Sequence, residues 1–142
     1  AGFRVTLVDH RPAFLSEERF PGAFRLVQAR PDDGLGRIPA TEKTYAVVKT
    51  HALVHDREWM RRLLTETPVP YIGLMGPRTR REQILQEIMP DGSLRIFGPV
   101  GLDVGAEGPE QVALSIVSEI LAVHAGRDPG HLRDRQRPIH AP

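Results

Sequence analysis

Short apolar runs that alternate with helical patterns are the feature that most constrains the fold of this chain. The strand-like runs are residues 3–8, 24–27, 45–48 and 71–75. The helical patterns are residues 55–64, residues 78–88 and a segment that begins at Pro109 and stops near Gly126. Alternating strands and helices favour a mainly parallel sheet with helices on both faces, so the pattern predicts an α/β fold.

The segments between these elements complete the predicted organisation. Residues 3–8 form an apolar run with Val5, Leu7 and Val8, which we interpret as a strand buried on both faces. Residues 31–41 are rich in Pro, Gly and Asp and are predicted to be a loop. The sequence MPDGS at 89–93 predicts a turn. We expect one domain over residues 1–126 and a polar, Pro-rich tail over residues 127–142.

The first residues place the start of the chain inside the fold. Gly2 is followed at once by a strand, as where a helix ends and the chain enters a sheet. We therefore expect the first strand and helix of the fold to be missing. In a doubly wound sheet that strand is central, and its loss leaves two bare edges. Either the chain is a fragment or another segment fills the gap.

Composition excludes several classes of function. The 142 residues carry a net charge of only +1, which predicts no nucleic-acid or membrane partner. Cysteine is absent, so disulfides, thiolate nucleophiles and cysteine-bound metal clusters are excluded within this chain. No apolar run approaches the ~20 residues that span a bilayer. We expect a cytoplasmic protein.

Polar residues follow the first and third strands, where parallel sheets bind ligands. Asp9 could accept hydrogen bonds from ribose hydroxyls, with Arg11 beside it for a phosphate, or the two could simply cap a turn together. Thr50 and His51 offer a hydroxyl and a titratable ring, and Asp56 could cap the next helix. His51 and His55 have the spacing of two metal ligands, but no third ligand is near in sequence, so no metal site is predicted.

A strand-to-helix junction at residues 71–82, YIGLMGPRTRRE, resembles an anion site. Gly73 and Gly76 allow a ligand to approach the backbone, and the helix start offers free N–H groups. Arg78 adds a planar cation for a phosphate. The alternative is that the glycines only permit close packing. Arg80 and Arg81 are predicted to be surface charges.

A glycine-rich loop precedes the last helix. Gly101 and Gly105 again allow close approach, and Asp103 could contact a ligand, act as a general base or brace the loop. No nucleophile stands beside a base in the sequence, so no catalytic residue is predicted.

Several stretches together resemble the C-terminal, Rossmann-like domain of the XdhC/CoxI proteins, which are accessory factors of xanthine dehydrogenase and related molybdenum hydroxylases. The matching stretches are GFRVTLVDHRPAF, RFPGA, VVKTH, YIGLMGPRTRR and GPVGLDVGAEGPEQVALSIVSEILA. One departure is Gly76-Pro77-Arg78, where relatives commonly have Gly-Ser-Arg and hence a serine hydroxyl. The family's N-terminal domain is also missing.

This resemblance implies a chaperone that binds the molybdenum cofactor (molybdopterin) for sulfuration and insertion into an apo molybdenum hydroxylase of the xanthine dehydrogenase or CO dehydrogenase type. It also implies a cysteine desulfurase partner, and a homodimer is compatible with it. The implied cofactor-binding residues are Asp9, Arg11, Thr50, His51, Gly73, Gly76, Arg78, Gly101, Asp103 and Gly105. Two alternatives stay open: an NAD(P)-dependent oxidoreductase, or another nucleotide-binding domain, on the strength of the fold alone, and a protein–protein module with a vestigial ligand site.

Overall fold

The computed structural model describes residues 2–88 and 95–139. The chain divides into two compact units, Ala1–Val100 and Gly101–Pro142. Within the described ranges, no helix is both long enough and apolar enough to cross a membrane.

Five parallel strands in the first unit confirm the predicted Rossmann-like α/β fold. The strands are β1 (Thr6–Asp9), β2 (Arg25–Gln28), β3 (Tyr45–Val48), β4 (Tyr71–Leu74) and β5 (Ile96–Phe97). They form one sheet of order β1–β2 and another of order β3–β4–β5. β1 and β2 pair with Thr6 opposite Arg25, and β3 and β4 pair with Tyr45 opposite Tyr71.

Helices follow the strands in alternation. They are α1 (Pro31–Gly34), α2 (Leu53–Glu66) and α3 (Arg78–Ile88) in the first unit and α4 (Pro109–His124) in the second. Short 3-10 turns occupy Pro12–Phe14, Leu35–Arg37 and Leu132–Asp134. The last turn lies in the predicted tail, whose boundary at residue 127 stays a prediction. The MPDGS turn lies outside the described residues.

The predicted loop at residues 31–41 is wrong at its start, which folds into α1 and a 3-10 turn. Pro31 suits the first turn of a helix, because its missing N–H has no helical partner to lose. The Asp33 carboxylate accepts a hydrogen bond from the backbone N–H of Arg30, 2.9 Å away, and so gives a partner to the N–H of the residue that precedes the helix. Gly34 then packs against the Trp59 ring of α2.

The apolar core of the first unit surrounds β4, whose four residues are all buried. Side chains of α2, α3 and the neighbouring strands pack there: Val48, Met60, Leu63, Leu64, Val69, Ile72, Leu74, Ile84 and Ile96. β1 is only half-buried along its length, so its predicted burial on both faces is wrong. Unlike β4, which has strands on both sides, β1 pairs with β2 alone among the described residues.

β1 and β3 do not pair with each other, but two ring contacts connect the residues around them. The Phe3 ring, which precedes β1, and the Tyr45 ring, at the start of β3, meet edge to face with their centroids 5.9 Å apart. The His10 ring, directly after β1, and the His55 ring, in α2 after β3, also meet edge to face, with their centroids 5.0 Å apart. No described strand pairs with the facing edges of β1 and β3. The predicted pair of bare edges is therefore present, and a segment that fills the gap stays a prediction.

Arg95, which is distant in sequence, donates hydrogen bonds to carbonyl groups at and just after the end of α2. Its guanidinium donates to the carbonyl oxygens of Leu64, Thr67 and Val69 at 2.5, 2.9 and 2.9 Å. The last carbonyls of a helix have no partner within the helix, so a charged donor satisfies them well. The α2–β4 connection is thereby held next to the strand that follows Arg95.

Candidate functional site

The carboxyl ends of β1, β3 and β4 are connected by side-chain contacts in the first unit. The His10–His55 ring contact joins the end of β1 to the start of α2. Asp56, the next residue, binds Thr50 after β3 and Arg80 in the first turn of α3. The polar residues predicted to follow separate strands thus lie at one edge of the sheets, where parallel α/β folds bind ligands.

Asp9 and Arg11 form a closed pair. The Asp9 carboxylate accepts hydrogen bonds from the backbone N–H of Arg11 at 2.8 Å and from its Nε and Nη2 at 3.0 and 2.9 Å. These bonds hold the pKa of Asp9 below its ordinary value of 3.8. The Arg11 guanidinium also stacks over the Phe14 ring at 4.0 Å. The turn-capping alternative therefore describes the geometry, and a ligand would have to share Asp9 with Arg11.

A cavity of about 490 Å³ opens beside His10 at the ends of β1 and β2. Its lining is mostly polar and charged: His10, Gln28, Ala29, Arg30, Asp32, Asp33 and Arg37. The volume is within the range of small-molecule sites. Both acids and arginines line it, so it offers partners to a ligand with mixed polar groups.

The expectation that Asp56 caps the next helix is wrong, since α2 begins after Ala52 without a side-chain cap, and Asp56 binds Thr50 and Arg80 instead. Its Oδ1 accepts hydrogen bonds from the backbone N–H and the hydroxyl of Thr50 at 2.9 and 2.5 Å. Arg80 Nη2 lies 2.6 Å from Asp56 Oδ2. The expectation that Arg80 and Arg81 are surface charges is wrong, since both are half-buried. The Thr50 hydroxyl is likewise engaged inside the protein.

His51 stands out in this loop by its backbone. Its φ is 60°, in the left-handed region that non-glycine residues seldom adopt. The side chain is exposed, with no hydrogen bond or ion pair to another described residue. A strained, exposed imidazole at a strand end is a common feature of binding sites.

The start of α3 has the features of an anion site. Gly76 is exposed, with φ of 127°, and the helix begins two residues later. The N–H groups of Arg78 and Thr79 precede the first helical bonds, which run from Arg80 and Arg81 to the Pro77 carbonyl. Arg78 is exposed and makes no side-chain bond to a described residue. A cation and free N–H groups are therefore available to one ligand.

Two of the predicted glycines have packing roles. A Cβ on Gly73 would lie 2.6 Å from Val100 Cγ2 and 3.0 Å from the Tyr71 ring. A Cβ on Gly101 would lie 2.5 Å from Ser115 Oγ of α4. Both distances are too short for real contacts, so close packing accounts for these glycines.

The second unit contains the other predicted loop. The backbone N–H of Gly101 donates to Glu119 Oε2 at 2.9 Å, and Ser115 Oγ donates to the Leu102 carbonyl at 2.6 Å. These bonds tie the loop to α4. Asp103 is exposed without a bond to a described residue, and Gly105, with φ of 66°, is open to solvent.

The sequence interpretation missed His10 and Arg80 as members of this group; it considered His55 only as a metal ligand and Asp56 only as a helix cap. His10 could have been found by its position directly after β1. The partnership of Asp56 with Arg80 joins residues 24 apart on two helices, and no local pattern indicates it. No described cluster of three or more His, Asp or Glu side chains has the arrangement of a metal site.

Comparison with known families decides the assignment of this domain. Residues 1–120 match the family described as the XdhC Rossmann domain. This chain belongs to the XdhC family. The XdhC domain accounts for nearly all of the strands, helices and strand-end residues described above.

Known proteins similar to this XdhC domain are longer than it. It is 38% identical over 120 residues to a probable subunit of xanthine dehydrogenase from Bacillus subtilis, a match that covers 84% of this chain and 36% of that protein. It is 28% identical over 128 residues to the uncharacterized protein YqeB of Escherichia coli, which covers 86% of this chain and 23% of that one. The chain therefore spans about a quarter to a third of these relatives.

A solved structure agrees with the XdhC assignment. The crystal structure of a xanthine dehydrogenase from Bacillus halodurans is similar to this chain with a TM-score of 0.78 and 28% identity. The similarity covers 89% of this chain and 37% of that one.

Proposed function

We propose that this domain binds the molybdenum cofactor as part of an accessory protein for a xanthine dehydrogenase-type or CO dehydrogenase-type molybdenum hydroxylase. The observation that carries the proposal is membership of the XdhC family. In support, the names of the Bacillus subtilis and Bacillus halodurans relatives place those proteins with xanthine dehydrogenase. On this proposal the domain is a cytoplasmic maturation factor and not a catalyst.

Several residues are available for such a ligand. The cofactor is a pyranopterin with a phosphate, and Arg78 with the N–H groups at the start of α3 offers the donors that a phosphate needs. His51 and the outer lone pairs of Asp9 offer polar contacts in the same unit. Asp103, Gly101 and Gly105 of the second unit stay predicted contacts, and Thr50, Gly73 and Arg11 support the fold around the ligand.

The proposed role ends with transfer of the cofactor. A cysteine desulfurase partner would supply the sulfur for sulfuration of the cofactor, since this chain contains no cysteine that could carry a persulfide. The loaded cofactor would then pass to the apo-hydroxylase. A homodimer is compatible with this role.

Binding of the cofactor is the direct test. The purified, folded protein should retain molybdopterin, measured as its fluorescent oxidation product, and Arg78→Ala should reduce retention by about tenfold, since a charge-assisted bond contributes about 1.5–3 kcal/mol. Arg133→Ala, an exposed arginine near the C-terminus, is the matched control and should bind normally. Failure of the folded wild-type protein to bind any pterin would contradict the proposal.

An NAD(P)-dependent oxidoreductase is the second candidate, and the observation in its favour is Asp9 at the carboxyl end of β1 in a Rossmann fold. Titration with NADH and NADPH beside molybdopterin separates the two. Binding of a dinucleotide, weakened by Asp9→Asn, with no pterin binding would favour this candidate.

A further inference from the structure

Asp56 is the only fully buried carboxylate among the residues that the structure describes, with 1% of its surface exposed. Ionised groups are seldom buried unless they are paired, and Asp56 is paired on both oxygens. Thr50 binds one oxygen and Arg80 faces the other. A buried carboxylate therefore links the loop after β3 to the first turn of α3.

The loop side of this link contains the strained residue His51. On one side of His51, the N–H and hydroxyl of Thr50 are bound to Asp56. On the other side, the N–H of Ala52 donates to Thr50 Oγ1 at 3.3 Å. Such a left-handed backbone persists only where its surroundings hold it in place. The bonds from Thr50 to Asp56 fasten this loop to α2, beside the local bonds between Thr50 and Ala52 that span His51.

On the α3 side, the Arg80 side chain reaches Asp56 by passing close to Gly76. A Cβ on Gly76 would lie 3.0 Å from Cδ of Arg80, so the Arg80 side chain folds back across this glycine on its way to Asp56. Arg78, two positions earlier, is exposed instead. Arg80 therefore holds the start of α3 against α2 and leaves Arg78 available.

We propose that Asp56 and Arg80 are positioning residues for the ligand: their ion pair fixes His51 and the start of α3 in the arrangement that binds an anionic ligand. The assignment of a ligand rests on the proposed function. The coupling of His51 to the ion pair rests only on the contacts above. Neither residue needs to touch the ligand.

Asp56→Asn tests the coupling without any ligand. The amide keeps the size of the side chain but has one oxygen and one NH2 group, so it cannot accept from Thr50 and face Arg80 with an oxygen at the same time. With its oxygen toward Arg80, the Thr50 bonds are lost, and the expected result is movement of His51 out of the left-handed region. The HN–Hα coupling and the Cα and Cβ chemical shifts of His51 report this change by NMR. Unchanged His51 signals in a folded Asp56→Asn protein would overturn the proposal.

Glu58→Gln is the matched control. Glu58 lies on the same helix and pairs with Arg61 at 2.6 Å, but this pair is exposed. The same change of charge and shape should leave both His51 and ligand binding as in the wild type.

Ligand affinity gives the second measurement, with molybdopterin released from a purified hydroxylase as the probe. Asp56→Asn and Arg80→Gln should each weaken binding by about tenfold, equivalent to about 1.4 kcal/mol, measured at a temperature where each variant is folded. If His51 moves but the wild type binds no pterin, the proposed function fails and the coupling stands.

The double variant Asp56→Asn/Arg80→Gln covers the case in which a single variant does not fold. Removal of both charges leaves no buried charge without a partner, so the double variant should fold better than either single variant. We expect its binding to stay about tenfold weaker than that of the wild type. Recovery of both folding and affinity would show that the pair contributes only to stability.

Discussion

At the residue scale, Arg11 binds the Asp9 carboxylate and thereby changes the pKa of that carboxyl group. Its pKa is lowered because Arg11 donates hydrogen bonds to the ionised form. In Arg11→Gln, the pKa of Asp9 should rise toward 3.8, as measured by NMR titration of the Asp9 carboxyl carbon. Arg4→Gln is the control, because Arg4 lies over the Phe24 ring at 5.0 Å.

The same pair gives stability a pH dependence of known sign. A carboxyl with a lowered folded pKa stabilises the fold above its unfolded pKa of about 3.9, and this contribution is lost as pH falls through the folded pKa. The difference in stability between wild type and Arg11→Gln should therefore be present at neutral pH and vanish in acid. A difference that grows as pH falls would contradict this assignment.

Gly76 is the glycine at which a side chain should matter most for the start of α3. With φ of 127° and Arg80 Cδ 3.0 Å from an added Cβ, Gly76→Ala combines backbone strain with crowding. We expect a loss of about 1–3 kcal/mol in the free energy of unfolding, measured by urea denaturation. Gly36→Ala has neither a positive φ nor an atom within 4 Å and should change stability by less than about 0.5 kcal/mol.

At the scale of elements, α1 contacts α2 by bonds from Arg62 to its carbonyls and by close packing at Gly34. A Cβ on Gly34 would lie 2.1 Å from Cη2 of Trp59, so Gly34→Ala must push the ring or the helix aside. We expect Gly34→Ala to lower the free energy of unfolding by about 1–3 kcal/mol. Trp59 is the only tryptophan in the chain, so its fluorescence should report the displacement. Normal stability with unchanged emission would show that the contact is looser than described.

The bare edges of β1 and β3 should be visible in amide hydrogen exchange. The carbonyls of Val5 and Asp9 accept bonds from Phe24 and Ala29 on the β2 side. The backbone N–H and C=O groups of successive residues point to opposite edges of a strand. The N–H groups of Thr6 and Val8 therefore point to the unpaired edge of β1, while the N–H of Leu7 points to β2. Thr6 and Val8 should exchange at least about tenfold faster than Leu7.

A longer protein in which a strand fills the gap should abolish this difference in exchange rate. The amides of Thr6 and Val8 would then gain partners and exchange as slowly as that of Leu7. Fast exchange at both positions in the longer protein would count against a strand in the gap.

At the scale of the whole molecule, a ligand that binds only the folded protein must stabilise it. At 100 times its dissociation constant, the pterin cofactor should add about 2.7 kcal/mol. For a domain of this size we expect a rise in Tm of roughly 5–10 °C, measured by calorimetry. Arg78→Ala should show a smaller rise at the same concentration.

The parts of the fold that follow an apolar period could be predicted from the sequence. Tyr45–Val48 and Arg78–Ile88 have the predicted bounds, because a buried strand and an amphipathic helix each impose a pattern on their residues. Ile96–Phe97 was missed, since a strand of two residues is too short to have a period. The end of α1, at Gly34, packs on Trp59, a residue distant in sequence.

The candidate site was predictable in location but not in internal organisation. Parallel strands bring their carboxyl ends to one edge, so Asp9, Thr50 and Arg78 were placed correctly at strand ends. The sequence does not indicate which arginine at the start of α3 points inward, because this depends on the buried position of Asp56. Tertiary packing therefore decides that Arg80 is internal and Arg78 is available.

The bonds from Arg95 to the end of α2 can form only after a delay during synthesis of the chain. Helix α2 ends at Glu66, yet the donor to the carbonyls of Leu64, Thr67 and Val69 is made almost thirty residues later. At ribosomal rates of about 5–20 residues per second, that interval lasts roughly 1.5–6 s. Until Arg95 has been added, the carbonyls at the end of this helix lack the donor that they have in the folded protein.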